Sequence, residues 1–76
     1  MKITGTKSYI LIEFDYRSVK ILGELAATPV FYAYMGSVKN WEPPYENVPV
    51  SDDEKKEIVQ RVNAQKDMAF KIIFED

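Results

Sequence analysis

The chain contains neither histidine nor cysteine. That removes the usual general base, the thiolate nucleophile and most transition-metal ligands. Carboxylates are what remain for acid–base work or calcium binding, and two pairs stand out, Asp52 with Asp53 and Glu42 with Glu46. Helix capping and solvation account for the first pair, and the second flanks a rigid turn without the ligand spacing of a calcium loop. Gly5, Gly23 and Gly36 are isolated from one another, so no phosphate-cradling loop is present. The expectation is a protein with no catalytic residue, no metal site and no cofactor, and so not an enzyme.

The residues do support recognition chemistry. The stretch "NWEPPYENVPVSDDE", Asn40 to Glu54, holds the only tryptophan, three of the four prolines, five acids and no base. Pro43 and Pro44 fix their own φ angles and bias the residues before them toward extended backbone. "WEPPY" is therefore expected to be a polyproline-like strut that holds Trp41 and Tyr45 at a set distance. Rigid presentation reduces the entropy lost on binding, and Trp and Tyr are frequent interface hot spots. Glu42, Glu46, Asp52 and Asp53 would select a basic partner. Trp41 has two roles open to it: an interface anchor, or a lid that folds onto the core beside Tyr45, Val48 and Val50.

Charge distribution narrows the partner. The net charge is −2, yet outside the acidic stretch ten bases stand against seven acids. Nucleic-acid binding draws most of its affinity from clustered Lys and Arg, and the only such cluster is the pair Lys55 and Lys56. A basic protein is the expected partner and nucleic acid is not.

The elements that must position these residues form an α+β pattern. A chain of 76 residues reads as one domain, residues 1–76, burying about 60 to 65% of the surface its unfolded form exposes. Hydrophobic residues make up 46% and charged residues 29%, the balance of a globular chain. "SYILIEFD" (8–15) alternates Ile10, Ile12 and Phe14 against Tyr9, Leu11, Glu13 and Asp15, as a half-buried strand does. "SVKILGEL" (18–25) follows after the short break "YR", with Val19, Ile21 and Leu25 inward, and reads as the second arm of a hairpin. "AATP" breaks the pattern, "VFYAYM" (30–35) resumes it, and "MKIT" can pair as a short edge strand. Ser51 followed three residues later by Glu54 is a capping box, so the one helix is expected over about 51–66 with Ile58, Val59 and Val62 inward. "MAFKIIFE" (68–75) closes the chain as a strand with Met68, Phe70, Ile72 and Phe74 inward. The result is a mostly antiparallel sheet of four to five strands with one helix on one face, in the order β-β-β-β-α-β.

So short a helix cannot cover such a sheet face alone, and the opposite face carries aromatics of its own. Left uncovered, that second face would be a binding surface or a dimer interface. Neither a signal peptide nor a membrane-spanning segment is expected, and with no cysteine the cytoplasm is the default location.

Three stretches also carry a resemblance: "MKITGTKSYILIEFDYRSVKILGEL", "FYAYMGSVKNWEPPYE" and "VSDDEKKEIVQRV". Their most distinctive part is "Y..S...WEPPY", here Tyr34, Ser37, Trp41, Glu42, Pro43, Pro44 and Tyr45, together with "GEL" at 23–25. Over nearly its whole length the chain resembles the immunity protein 74 family of bacterial polymorphic toxin systems. The resemblance implies a cytoplasmic protein that binds and neutralises a cognate toxin domain, and it brings no catalytic residue with it. If the toxin is a nuclease with a basic cleft, a rigid aromatic and acidic surface would suit it. The expected partner-binding residues are Trp41, Glu42, Tyr45, Glu46, Asp52, Asp53 and Tyr34. The alternative is a homodimeric adaptor or structural module without a toxin partner, pairing through the uncovered face or an exposed sheet edge.

Overall fold

The computed structural model describes residues 1–26, 29–65 and 70–75. Apolar alternation decides the strands. In β2 (Tyr9–Glu13) Ile10 and Ile12 are fully buried while Tyr9, Leu11 and Glu13 are half-buried on the other side. β3 (Ser18–Leu25) does the same with Val19 and Ile21, and β4 (Val30–Tyr34) with Phe31 and Ala33. Burying one such Ile or Phe side chain contributes about 1.5–3 kcal/mol.

β1 (Lys2–Gly5), β2, β3, β4 and β5 (Lys71–Glu75) lie side by side in sequence order. The first three pairings are antiparallel, and β4 pairs with β5 in parallel. A parallel neighbour needs a long crossover, which the segment from Met35 to Phe70 supplies with its helix α1 (Asp52–Asn63). The expected order β-β-β-β-α-β is found, with one α-helix among the described residues and a short 3-10 turn at Met35–Ser37 after β4. Lys66, Met68 and Ala69, expected at the end of the helix and the start of the last strand, lie outside the described residues.

α1 begins where its capping signals put it. The Glu54 backbone N–H donates to Ser51 Oγ at 3.1 Å, and the Ser51 backbone N–H donates to Glu54 Oε1 at 3.0 Å. Asp52, Asp53 and Glu54 fill the first turn, where the helix dipole favours negative charge. Ile58 and Val62 are buried and Val59 half-buried. This narrow stripe does not cover the sheet alone: Val38, Trp41 and Val50 join it in the same core.

Some expectations need correction. Leu25, expected inside, ends β3 at 44% exposure, beyond the reach of the covering layer. Tyr45 and Val48, half of the expected lid, are 37% and 41% exposed, because successive turns point them away from the core. The β2–β3 connection runs through Asp15 and Tyr16 rather than "YR", since Phe14 N–H donates to Arg17 C=O at 2.9 Å.

The other sheet face carries Tyr9, Leu11, Lys20, Leu22, Glu24, Tyr32, Tyr34 and Ile73, and no described helix packs on it. Partial burial raises the Tyr34 phenol above its ordinary pKa, and the nearby Glu24 and Glu75 carboxylates add to the rise. No described helix is long and apolar enough to cross a membrane.

Candidate functional site

Three segments meet at one end of the covered face: the β2–β3 turn, the loop from Val38 to Val50, and the first turns of α1. The loop is closed at its base by a bridge between Asn40 and Pro49, by Trp41 N–H to Val48 C=O at 3.0 Å and by Val50 N–H to Lys39 C=O at 2.8 Å. Glu42 N–H donates to Ser18 C=O at 3.0 Å and ties the loop to the start of β3. Inside the loop, Tyr45 N–H donates to Glu42 C=O at 3.0 Å and Val48 N–H to Tyr45 C=O at 2.9 Å. These are two successive turns, and the Pro43–Pro44 peptide bond is cis. The extended strut expected for "WEPPY" is thus replaced by a folded turn, since a polyproline helix has no internal hydrogen bonds and this segment has them.

Arg17 holds the three segments together. Its guanidinium carbon lies 3.8 Å from the centre of the Trp41 ring and 5.5 Å from that of Tyr16. Its Nη2 donates to Glu54 Oε2 at 2.6 Å. Glu54 therefore uses one carboxylate oxygen to cap the helix and the other to hold Arg17. Hydrogen bonding from the Ser51 backbone keeps this carboxyl below the usual glutamate pKa; partial burial opposes that effect, and Ser51 Oγ and Arg17 reinforce it. Both side chains of the ion pair are about three-quarters buried, at 26% and 28% exposure. Fixed between an aromatic face and a cap, the pair has little rotamer freedom left.

The stack continues outward on both sides. Phe14 meets Trp41 edge to face with ring centres 6.2 Å apart, and Arg61 lies 4.7 Å over Phe14. On the solvent side Tyr16 meets Tyr45 edge to face, also at 6.2 Å. Tyr16 is 68% exposed. All of these groups except Tyr45 line a cleft of about 150 Å³, together with Asp15, Glu57 and Ile58.

Of the two roles open to Trp41, the structure shows the lid: the indole is only 3% exposed and belongs to the core. Its Nε1 is buried and has no hydrogen-bond partner among the described residues. An unmade bond of this kind costs about 1–3 kcal/mol, which Phe or Leu would avoid. What tryptophan adds is the strongest aromatic face for a cation, and Arg17 occupies it.

Tyr45, Glu42 and Glu46 lie in the loop above Trp41, Glu42 half-buried and the other two exposed; the Glu46 carbonyl is anchored by Asn40 Nδ2 at 2.8 Å. Asp52 and Asp53 lie exposed in the first turn of α1. The structure thus gathers six of the seven expected residues at one end. Tyr34 is apart from them, on the open face of the sheet. The residues that sequence reasoning passed over are Tyr16 and Arg17, read there only as a break in a hairpin, and Phe14 and Arg61. One signal was available: "DYRS" lacks Gly and Asn, and a large aromatic in a tight turn breaks the local rule for turn residues.

No curated protein and no solved structure matches the chain. A family model described as Immunity protein 74 does match it, over residues 2–75, from the first residue of β1 to the last of β5. The chain therefore belongs to the immunity protein 74 family, a membership that supports an immunity-protein role.

Proposed function

We propose that the protein is a non-catalytic inhibitor that binds a cognate bacterial toxin domain in the cytoplasm and presents the Tyr16–Tyr45 end to it. The observation that carries this reading is the graded stack from Trp41 through Arg17 and Tyr16 to Tyr45, buried at one end and exposed at the other. Aromatic rings that are already fixed bury area on binding at small entropic cost. Around them lie Asp15, Glu42, Glu46, Asp52, Asp53 and Glu57, none in an ion pair among the described residues. Such a rim steers a basic surface and repels phosphate, so the partner is a basic protein and not nucleic acid. A toxin nuclease, whose substrate cleft must be basic, is the class that fits best. Trp41 serves as the buried support of this surface, and Tyr34 is not part of it.

The test is co-expression with the toxin domain encoded beside the gene. Wild-type protein restores growth and binds the toxin in calorimetry, with affinity falling as salt rises. Tyr16→Ala with Tyr45→Ala weakens binding about 100-fold or more, as loss of two hot-spot aromatics does, while circular dichroism stays native. Unchanged binding in that variant would remove this end from recognition. Absence of binding by the wild-type protein would leave the adaptor reading, which draws on the open sheet face.

A further inference from the structure

We propose that two copies of this chain join edge to edge through β5, antiparallel and centred on Ile73, to form one continuous ten-stranded sheet. The inference is independent of the toxin-binding surface, which uses no residue of β5.

Among the described residues β5 is an edge strand, paired on one side only. Lys71 N–H donates to Pro29 C=O at 2.9 Å, so the backbone groups of Lys71, and by strand alternation those of Ile73 and Glu75, point toward β4. The N–H and C=O groups of Ile72 and Phe74 then point outward, where no described strand pairs with them. A second β5 running antiparallel and centred on Ile73 sets Ile72 opposite Phe74 of the copy and Phe74 opposite Ile72. These are the residues whose free backbone groups face outward, so the register satisfies all of them by reciprocal bonds. Ile73 then meets its own copy as a non-hydrogen-bonded pair, the closer of the two spacings.

Charge selects the same register. In the segment "KIIFE" Lys71 comes to lie opposite Glu75 of the copy, and Glu75 opposite Lys71. Neither residue is in an ion pair among the described residues. Moving the centre to Ile72 or Phe74 sets Lys71 or Glu75 against Ile73 and loses both pairs. The edge is also thinly protected: it has no proline, and its two charges stand only at its ends, with three apolar residues between them. The opposite edge differs. β1, "KITG", is four residues long, carries its only charge as Lys2 and ends in glycine, so it offers no self-complementary partner.

Sedimentation equilibrium from micromolar to millimolar protein, with three variants, tests the proposal. Wild-type chain passes from monomer to dimer as concentration rises. Lys71→Glu sets like charges face to face at both ends of the pairing, as does Glu75→Lys, and each weakens the dimer about tenfold. The double variant K71E/E75K restores the opposite-charge pairs and recovers the wild-type constant. In hydrogen exchange, the Ile72 and Phe74 amides are unprotected in dilute protein and gain protection with concentration. Melting temperatures and circular dichroism identify any variant that has lost its fold, in which case Ile73→Lys replaces it as the disrupting change. A monomer at every concentration overturns the proposal. So does a dimer indifferent to the single reversals, or a double variant that fails to recover.

Discussion

The two faces of the sheet are made by alternate residues of the same strands, yet they have become different materials. On the covered face Ile10, Ile12, Val19, Ile21, Phe31 and Ala33 are fully buried under α1, Val38, Trp41 and Val50. On the open face Leu22 remains 49% exposed, and Tyr9, Leu11, Tyr32, Tyr34 and Ile73 are half-buried with no described helix over them. The open face compensates with local pairings, such as Lys20 Nζ 4.3 Å over the Tyr9 ring. Apolar composition therefore does not decide burial in this chain. A face becomes core only where a second layer lies over it, and half of that layer here is a loop rather than a helix.

Substitutions can break or sharpen that contrast. The largest effect belongs to Trp41→Ala, which empties the loop's contribution to the covering layer and frees Arg17. It should cost about 3–5 kcal/mol, a large share of the total for a chain of this size, measured by urea or thermal unfolding. If it cost no more than a change on the open face, the contrast between faces would collapse. Next comes Gly23→Ala in β3. An added Cβ there would lie 2.0 Å from the Tyr32 carbonyl oxygen and 2.6 Å from the Phe31 ring. Backbone cannot give way as a side chain can, so a loss of about 1–3 kcal/mol is expected by the same measurement.

Ser51→Ala tests whether the helix needs its cap to stay over the sheet, with an expected loss of about 1 kcal/mol. The linked carboxylate adds a pH signature. Folding lowers the Glu54 pKa from its ordinary value of 4.5, so its contribution is present above that pH and is lost as pH falls through the lower, folded value. Stability profiles of wild type and Glu54→Gln should therefore converge as the solution is acidified below about 4.5. Parallel profiles would show that the carboxylate gains nothing from folding. The smallest change is Leu22→Ser on the open face, expected to stay within about 0.5 kcal/mol. A loss comparable to that of Gly23→Ala would reveal that the face is covered in solution.

Much of this was legible beforehand because it rests on interactions local in sequence. The period-two alternation of "YILIE" and "SVKILGEL" depends on which side of one strand each residue faces, and the Ser51–Glu54 box closes within one helical turn. The parallel pairing of β4 with β5 was not legible, because it depends on the path of the connection between them. Within the candidate site, Tyr45 and the acids were visible as composition. Arg17 was not, since the partners that give it a role are Trp41 and Glu54, 24 and 37 positions away.

The sequence by itself determined the element order, the start of the helix, the inward side of β2, β3 and β5 and the acidic, aromatic character of one segment. It also marked the family through stretches that span nearly the whole chain. Only the tertiary structure decided that Trp41 is a lid, that "WEPPY" folds into a turn, that Tyr34 lies on the open face and that Arg17 joins three segments. The physical reason is range. Alternation and capping are properties of neighbours a few residues apart. Burial and cation stacking depend on what the fold brings in from far along the chain.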